Sequence, residues 1–194
     1  ENNNREPLYI SACPAWVKYA EQFIPSLLSQ LSKVKSPQQI TGIIIKTMVA
    51  DQIGVKPESI FSVSVSPCIA MKYEARRDGM MRKGISDVDT VLTARELTRL
   101  IKLYGIDITN IEQEPADPPM AMRSSSAVLA ELSGGLAESV IRSLVCSRLK
   151  KEADKQFFKK LRSANSFREI AVPLENIELN VAVVDGLNGL EKLK

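Results

Sequence analysis

Three cysteines and the complete lack of histidine set the chemistry open to this chain. Without imidazole there is no Ser-His-Asp or Cys-His nucleophile, no His-ligated zinc or haem, and no ordinary imidazole acid–base step. Cys13, Cys68 and Cys146 are far apart, form no CxxC, and cannot all pair within one chain. Thiols of this kind in a reducing, cytoplasmic compartment are commonly buried and unreactive. The other use is soft-metal or iron–sulfur ligation, which thiolates without histidine suit better than zinc. Two of the three stand beside prolines, in Ala12-Cys13-Pro14 and Pro67-Cys68.

The elements around these cysteines give them a place. Leu8-Tyr9-Ile10-Ser11 reads as a short buried strand running into Cys13-Pro14. Proline suits the first turn of a helix. Val17, Ala20, Phe23, Ile24, Leu27, Leu28 and Leu31 then recur at helical spacing, with Pro25 predicted to interrupt the helix. Ser36 is an N-cap with Pro37 at the first helical position, and Gly54 closes that helix. Ile60–Val65 is rich in strand formers and ends at Ser66-Pro67-Cys68. Both cysteines thus fall at strand ends. In α/β folds ligands collect at the carboxyl ends of strands, so neighbouring strands in one sheet would bring Cys13 and Cys68 together.

Farther along, Lys72–Lys83 reads as a solvated excursion and Val88–Leu92 as a strand. Thr93 and Glu96 have the spacing of a capping box for a helix that Gly105 ends. Asn110–Ser126, with three prolines and three successive serines, is a long loop, and long loops are often functional. Helices follow at about Ala127–Leu132 and Leu136–Lys150. A polar helix or linker covers Lys151–Ser163, and strands cover Arg168–Val172 and Ile177–Val184. Asp185-Gly186 turns into a last short helix. The alternation of strands and helices predicts an α/β fold.

Composition is that of a globular chain of 194 residues, 44% hydrophobic and 25% charged. The balance of 26 basic and 23 acidic side chains, net +3, is too even to suggest a dedicated nucleic-acid binder. No apolar run reaches the roughly 20 residues of a membrane span. The N-terminus is polar and mixed in charge, unlike a signal peptide.

Several motifs, taken together, resemble one family. Ser11-Ala12-Cys13-Pro14-Ala15-Trp16 is similar to the first signature of the iron-only ([FeFe]) hydrogenase catalytic domain, Thr-Ser-Cys-Cys-Pro-x-Trp. Lys35-Ser36-Pro37-Gln38-Gln39 resembles its Ser-Pro-Gln-Gln helix start, and Ser66-Pro67-Cys68-Ile69-Ala70-Met71-Lys72-Tyr73-Glu74 its second signature, Met-Pro-Cys-x-x-Lys-x-x-Glu. Asp87–Leu97, Asp117-Pro118-Pro119 and Ser133-Gly134-Gly135 match in order and spacing. The resemblance implies an iron-only hydrogenase-like catalytic domain with lobes of small parallel and mixed sheets flanked by helices. On this reading residues 1–194 are a two-lobed fragment of that single domain.

The resemblance also implies a cofactor. In the family a [4Fe–4S] cubane held by four cysteines is bridged to a two-iron unit carrying CO and cyanide. Cys13 and Cys68 would be two of the ligands. The third signature, Cys-x-x-x-Cys, would lie beyond Lys194, and Cys146 matches no ligand position. Pro37, Gln38, Ser66, Met71, Met120 and Ala121 match positions lining the cofactor, and Ser32 and Ser36 match serines near the proton route. Ser36 is equally well read as a helix cap.

Five positions depart from the active pattern. Ala12 replaces the proton-delivering cysteine, and a methyl group neither donates nor accepts a proton. Met71 replaces a lysine that donates to cyanide. Ser66 replaces an apolar methionine, and Met120-Ala121 stand where a bulky apolar residue and glycine are usual.

The expectation is therefore a slow or sensory iron-only hydrogenase domain. It would be served by ferredoxin or an accessory iron–sulfur donor and accompanied by a PAS-like or other signalling domain. The alternatives are a non-catalytic relative similar to the hydrogenase-like proteins of cytosolic iron–sulfur assembly, which share Ser-Ala-Cys-Pro, and a structural lobe without cofactor.

Overall fold

The computed structural model describes residues 7–115, 128–130, 132–152, 154–163, 165–175, 177–187 and 189–190. The chain divides into two compact units, Glu1–Gln113 and Glu114–Lys194.

In the first unit, α1 (Pro14–Phe23) starts at Pro14 and is cut short before Pro25, which opens a 3-10 helix, Pro25–Gln30. A proline ring inside a helix removes one hydrogen bond and collides with the preceding turn. Helix α2 (Pro37–Ile44) begins as the sequence predicts: the Ser36 side chain accepts the Gln39 N–H and Pro37 occupies the first position. It continues through a π-helical stretch, Ile45–Val49, into α3 (Ala50–Ile53). Gly54, at φ 70°, ends it in the left-handed conformation that glycine adopts without steric cost. Gly42 is needed for packing: a Cβ there would lie 2.1 Å from the Asp87 carbonyl oxygen. Helix α2 rests directly on the backbone leading to the next strand.

Strand β1 (Val63–Val65) is joined to β4 (Thr90–Leu92) through α4 (Ala70–Ala75) and a small hairpin, β2 (Met81–Arg82) and β3 (Ile85–Ser86). β1 and β4 pair in parallel, Val63 opposite Thr90 and Val65 opposite Leu92, whereas β2 and β3 are antiparallel. Helix α5 (Ala94–Leu103) carries the full capping box. Thr93 Oγ1 accepts the Glu96 N–H at 3.3 Å, and the Glu96 carboxylate accepts the Thr93 N–H at 2.8 Å. Val17, Ala20, Ala50, Val88 and Val91 are among the buried apolar residues of this unit.

The second unit contains α6 (Gly135–Leu149), α7 (Lys155–Leu161) and the antiparallel hairpin of β5 (Phe167–Leu174) and β6 (Ile177–Val184). Its core is Ile141, Val145, Phe158, Leu161, Ile170, Val172 and Leu174. Along β5 every second residue, from Arg168 to Leu174, is buried, the period-2 pattern of a strand with one covered face. Glu138 is buried and held by Arg142 and Arg162, each at 2.7 Å.

Three sequence expectations change. Leu8–Ser11 is not a buried strand: Leu8 is 72% exposed, and the segment makes only a parallel bridge, Tyr9 to Leu31. Lys72–Lys83 begins inside α4, whose Glu74 is buried. Lys151–Ser163 holds a helix, one of its two expected forms, but not a purely polar one, because Phe158 and Leu161 of α7 are among the most buried side chains. Flanking lysines hide that apolar pair from a composition count. Residues 111–115 of the expected loop are irregular; Asp117–Pro119, Met120 and Ala121 lie outside the described residues.

Candidate iron–sulfur site

Cys13 and Cys68 do not sit on neighbouring strands, since β1 pairs with β4 and the Tyr9 segment with Leu31. Each cysteine instead stands just ahead of a helix. Cys13 is the N-cap residue of α1, with extended backbone and no capping bond from its side chain. Cys68 lies two residues before α4. The two helices pack on each other. Lys18 Nζ stands 4.2 Å from the centre of the Tyr73 ring; Glu21 receives the Tyr73 hydroxyl and pairs with Arg77. Contacts advance in the same order along both segments, so the helices run in the same sense. Cys13 precedes Lys18 by five residues and Cys68 precedes Tyr73 by five. Both thiols therefore lie at one end of the helix pair.

All three cysteines are unpaired and exposed, which corrects the expectation of buried thiols. The donor set fits half of a four-thiolate site: two exposed soft ligands, neither consumed by a disulfide. Among the described residues no group of three or more His, Cys, Asp or Glu could hold a metal ion. Cys146 lies on α6, in the second unit.

Around Cys68 the turn is closely tied. Ser66 Oγ accepts the Cys68 N–H at 3.2 Å, and the Cys68 carbonyl accepts the Met71 N–H at 3.2 Å. The Met71 carbonyl in turn accepts from Gln38 Nε2 at 3.3 Å. Lys72, next to the substituted position, is committed elsewhere, to Glu96 at 2.5 Å. Ser36 donates its hydroxyl to Glu74 at 2.7 Å while capping α2, so both uses of this serine coexist. Ser32 belongs to a different network: its carbonyl accepts from Ser11 Oγ at 2.7 Å and its hydroxyl from the Val34 N–H at 3.2 Å. Ala12 is partly buried at the start of the Cys13 turn.

Glu74 was given no role at the level of sequence, yet it is 2% exposed and receives both Ser36 and Gln38. Its place in the second signature was the one available signal. Two lysine–aspartate pairs were likewise not legible, Lys35–Asp87 at 2.5 Å and Lys46–Asp89 at 2.6 Å. Burial pushes the Asp89 carboxyl up, but hydrogen bonds from Lys46 and from the Ser62 amide and hydroxyl outweigh it and hold Asp89 below the usual range. A cleft of about 250 Å³ between α2 and β1 is lined by Pro37, Gln38, Thr41 and Ser64, among others, and by neither cysteine.

Glu96 links this region to α5. Hydrogen bonds from Lys72 and then from the Thr93 amide and hydroxyl hold its carboxyl down at about 2, against an ordinary 4.5. A carboxyl depressed on folding stabilises the fold fully above its unfolded value and loses that contribution as pH falls toward its folded value. Urea midpoints followed from pH 6 to pH 2 are therefore expected to drop more steeply in the native protein than in Glu96→Gln, with the difference confined to about pH 4.5–2. Parallel curves would mean the capping box and Lys72 do not act on this carboxyl.

The whole chain, residues 1–194, matches the family described as "Iron only hydrogenase large subunit, C-terminal domain". The protein belongs to this family. It is 38% identical to Iron hydrogenase 1 of Clostridium pasteurianum over 192 residues, 99% of this chain and 33% of that one. It is 35% identical to the periplasmic [Fe] hydrogenase large subunit of Nitratidesulfovibrio vulgaris over 93% of this chain and 43% of that one. Protein NAR1 of Arabidopsis thaliana is 34% identical over 98% of this chain and 44% of its own length. An apo [FeFe]-hydrogenase HydA1 variant from Chlamydomonas reinhardtii superposes with a TM-score of 0.76 at 24% identity, over 96% of this chain and 54% of that one, so the two share a fold. The chain spans less than half the length of these curated relatives. Among the described residues no helix is long and apolar enough to cross a membrane.

Proposed function

We propose that this chain is the cluster-binding part of a divergent iron-only hydrogenase domain, slow or regulatory in action, in which Cys13 and Cys68 supply two of four thiolates to a [4Fe–4S] cubane. The observation that carries this reading is the placement of two exposed thiols at one end of the α1–α4 pair in a member of the hydrogenase family. When bound, the full cofactor with its two-iron unit would supply the metal centre at which protons and hydrogen interconvert, with the electrons coming from an external donor.

The chain's own residues hold and orient. The α1 cap presents Cys13, the Ser66–Met71 turn presents Cys68, and Pro37 and Gln38 form the adjoining start of α2. Delivery of the last proton lacks its thiol, because Ala12 offers only a methyl group. The Met71 side chain offers no N–H donor, and Lys72 is engaged by Glu96 rather than free to replace it. Ferredoxin or an accessory iron–sulfur protein would supply electrons in the cytoplasm, and a PAS-like or other signalling domain would carry the output.

A second reading, a non-catalytic iron–sulfur module of the assembly type, is favoured by Ser11-Ala12-Cys13-Pro14 together with the similarity to Protein NAR1. Infrared spectroscopy of the anaerobically matured protein under CO separates the two. Bands of iron-bound CO and cyanide support the hydrogenase reading; iron without such bands supports the assembly reading. In a protein carrying those bands, Ala12→Cys is expected to raise hydrogen turnover by on the order of 10²-fold, the lower range for a positioned proton donor. Unchanged turnover would move the limit to Met71 and Ser66.

A further inference from the structure

We propose, resting on the cluster-binding reading above, that Gln38 is a positioning residue that fixes the Cys68 turn in its ligating shape before any metal arrives. One planar amide reaches both flanks of that turn. Gln38 Oε1 accepts the Ser64 hydroxyl at 2.8 Å, on β1 and four residues before Cys68. Gln38 Nε2 donates to the Met71 carbonyl at 3.3 Å, three residues after Cys68, and lies 3.5 Å from the Glu74 carboxylate. The strand that leads into the turn and the helix that leaves it are thus held by one side chain.

That side chain is itself anchored. Gln38 occupies the first turn of α2, which Ser36 caps through the Gln39 N–H. The same Ser36 hydroxyl donates to Glu74 at 2.7 Å, with Ser36 and Glu74 only 1% and 2% exposed. Inside the turn, Ser66 takes the Cys68 N–H and Met71 donates to the Cys68 carbonyl. The backbone of Cys68 is fully engaged, while the residue is exposed and its thiol is in no disulfide. A ligand held in this way loses little freedom on binding, and removing such outer partners typically weakens metal retention by about 10–100-fold.

The test compares Gln38→Met, which keeps the volume and removes donor and acceptor, with Asp154→Ala, which removes the α7 cap at a cost of about 1 kcal/mol and lies in the second unit. Amide hydrogen exchange in the iron-free protein reads the turn. Iron loss to a chelator from the anaerobically reconstituted protein reads its consequence. In Gln38→Met, exchange across residues 64–72 is expected to quicken by on the order of 10-fold and iron loss by about 10–100-fold, with both near native in Asp154→Ala. Ser64→Ala, which cuts only the strand side, gives the same signature more weakly and serves if Gln38→Met does not fold. Unchanged exchange over 64–72, equal changes in Asp154→Ala, or faster exchange with native iron loss would each overturn the proposal. A native protein that takes up no iron would instead sink the cluster-binding reading, and the exchange comparison alone would then decide the clamp.

Discussion

In the full-length protein, Cys68→Ala and Cys13→Ala are each expected to reduce bound iron to background, whereas Cys146→Ala leaves it unchanged. The argument rests on ligand chemistry and position. A cubane needs four soft donors, and a chain without histidine offers thiolates for the purpose. Cys13 and Cys68 are exposed at the same end of two packed helices; Cys146 is on α6, in the other unit. Alanine offers no electron pair to iron, so each loss removes a bond that no adjacent side chain replaces: Ala12, Pro14, Pro67 and Ile69 flank the two positions. Neither cysteine is a buried packing element, so the variants should retain native far-ultraviolet circular dichroism. Iron assays after anaerobic reconstitution, with the sulfur-to-iron charge-transfer absorption as a second readout, check the outcome. Full iron content in either variant would remove that residue from the ligand set.

The second large effect concerns the other unit. Phe158→Ala is expected to cost about 3–5 kcal/mol, the range for emptying a buried aromatic site. Phe158 is 2% exposed and belongs to one core cluster with Ile141, Val145, Leu161, Ile170 and Val172. Its ring also receives the Arg142 guanidinium at 4.8 Å, worth about 0.5–1 kcal/mol at a partly exposed site. Set against a typical domain stability of about 5–15 kcal/mol, this loss takes most of the margin of a small unit. Phe158→Leu keeps most of the volume and should cost much less. Urea denaturation followed by tryptophan-independent circular dichroism measures both, because Trp16 lies in the first unit. A loss below about 1 kcal/mol for Phe158→Ala would mean that α7 is not a core helix.

The sequence alone determined the features whose partners lie within one turn of the chain. Ser36 with Gln39, Thr93 with Glu96, the break before Pro25 and the stop at Gly54 all appear where the residue types require them. Each is satisfied across three or four residues, so chain order already contains the geometry. The family was legible for a related reason: its signatures are short runs, and every residue that defines them is adjacent to the next. The hairpin strands β5 and β6 were also visible, since alternation is a local pattern.

Tertiary structure decided everything whose partner is remote. Ser36 meets Glu74 across 38 residues, Lys35 meets Asp87 across 52, and Gln38 meets Ser64 across 26. No periodicity marks such pairs, because a polar residue in an amphipathic pattern looks the same whether water or a buried carboxylate receives it. The cysteines show the same limit. Their types pointed to iron, but each precedes a helix of the packed α1–α4 pair, and they do not end neighbouring strands of one sheet. Helix α7 reads as polar because its three lysines and one glutamine outnumber its three apolar residues, yet two buried side chains suffice to fasten a short helix to a sheet. Composition counts side chains, whereas burial depends on which few of them face a surface that distant parts of the chain create.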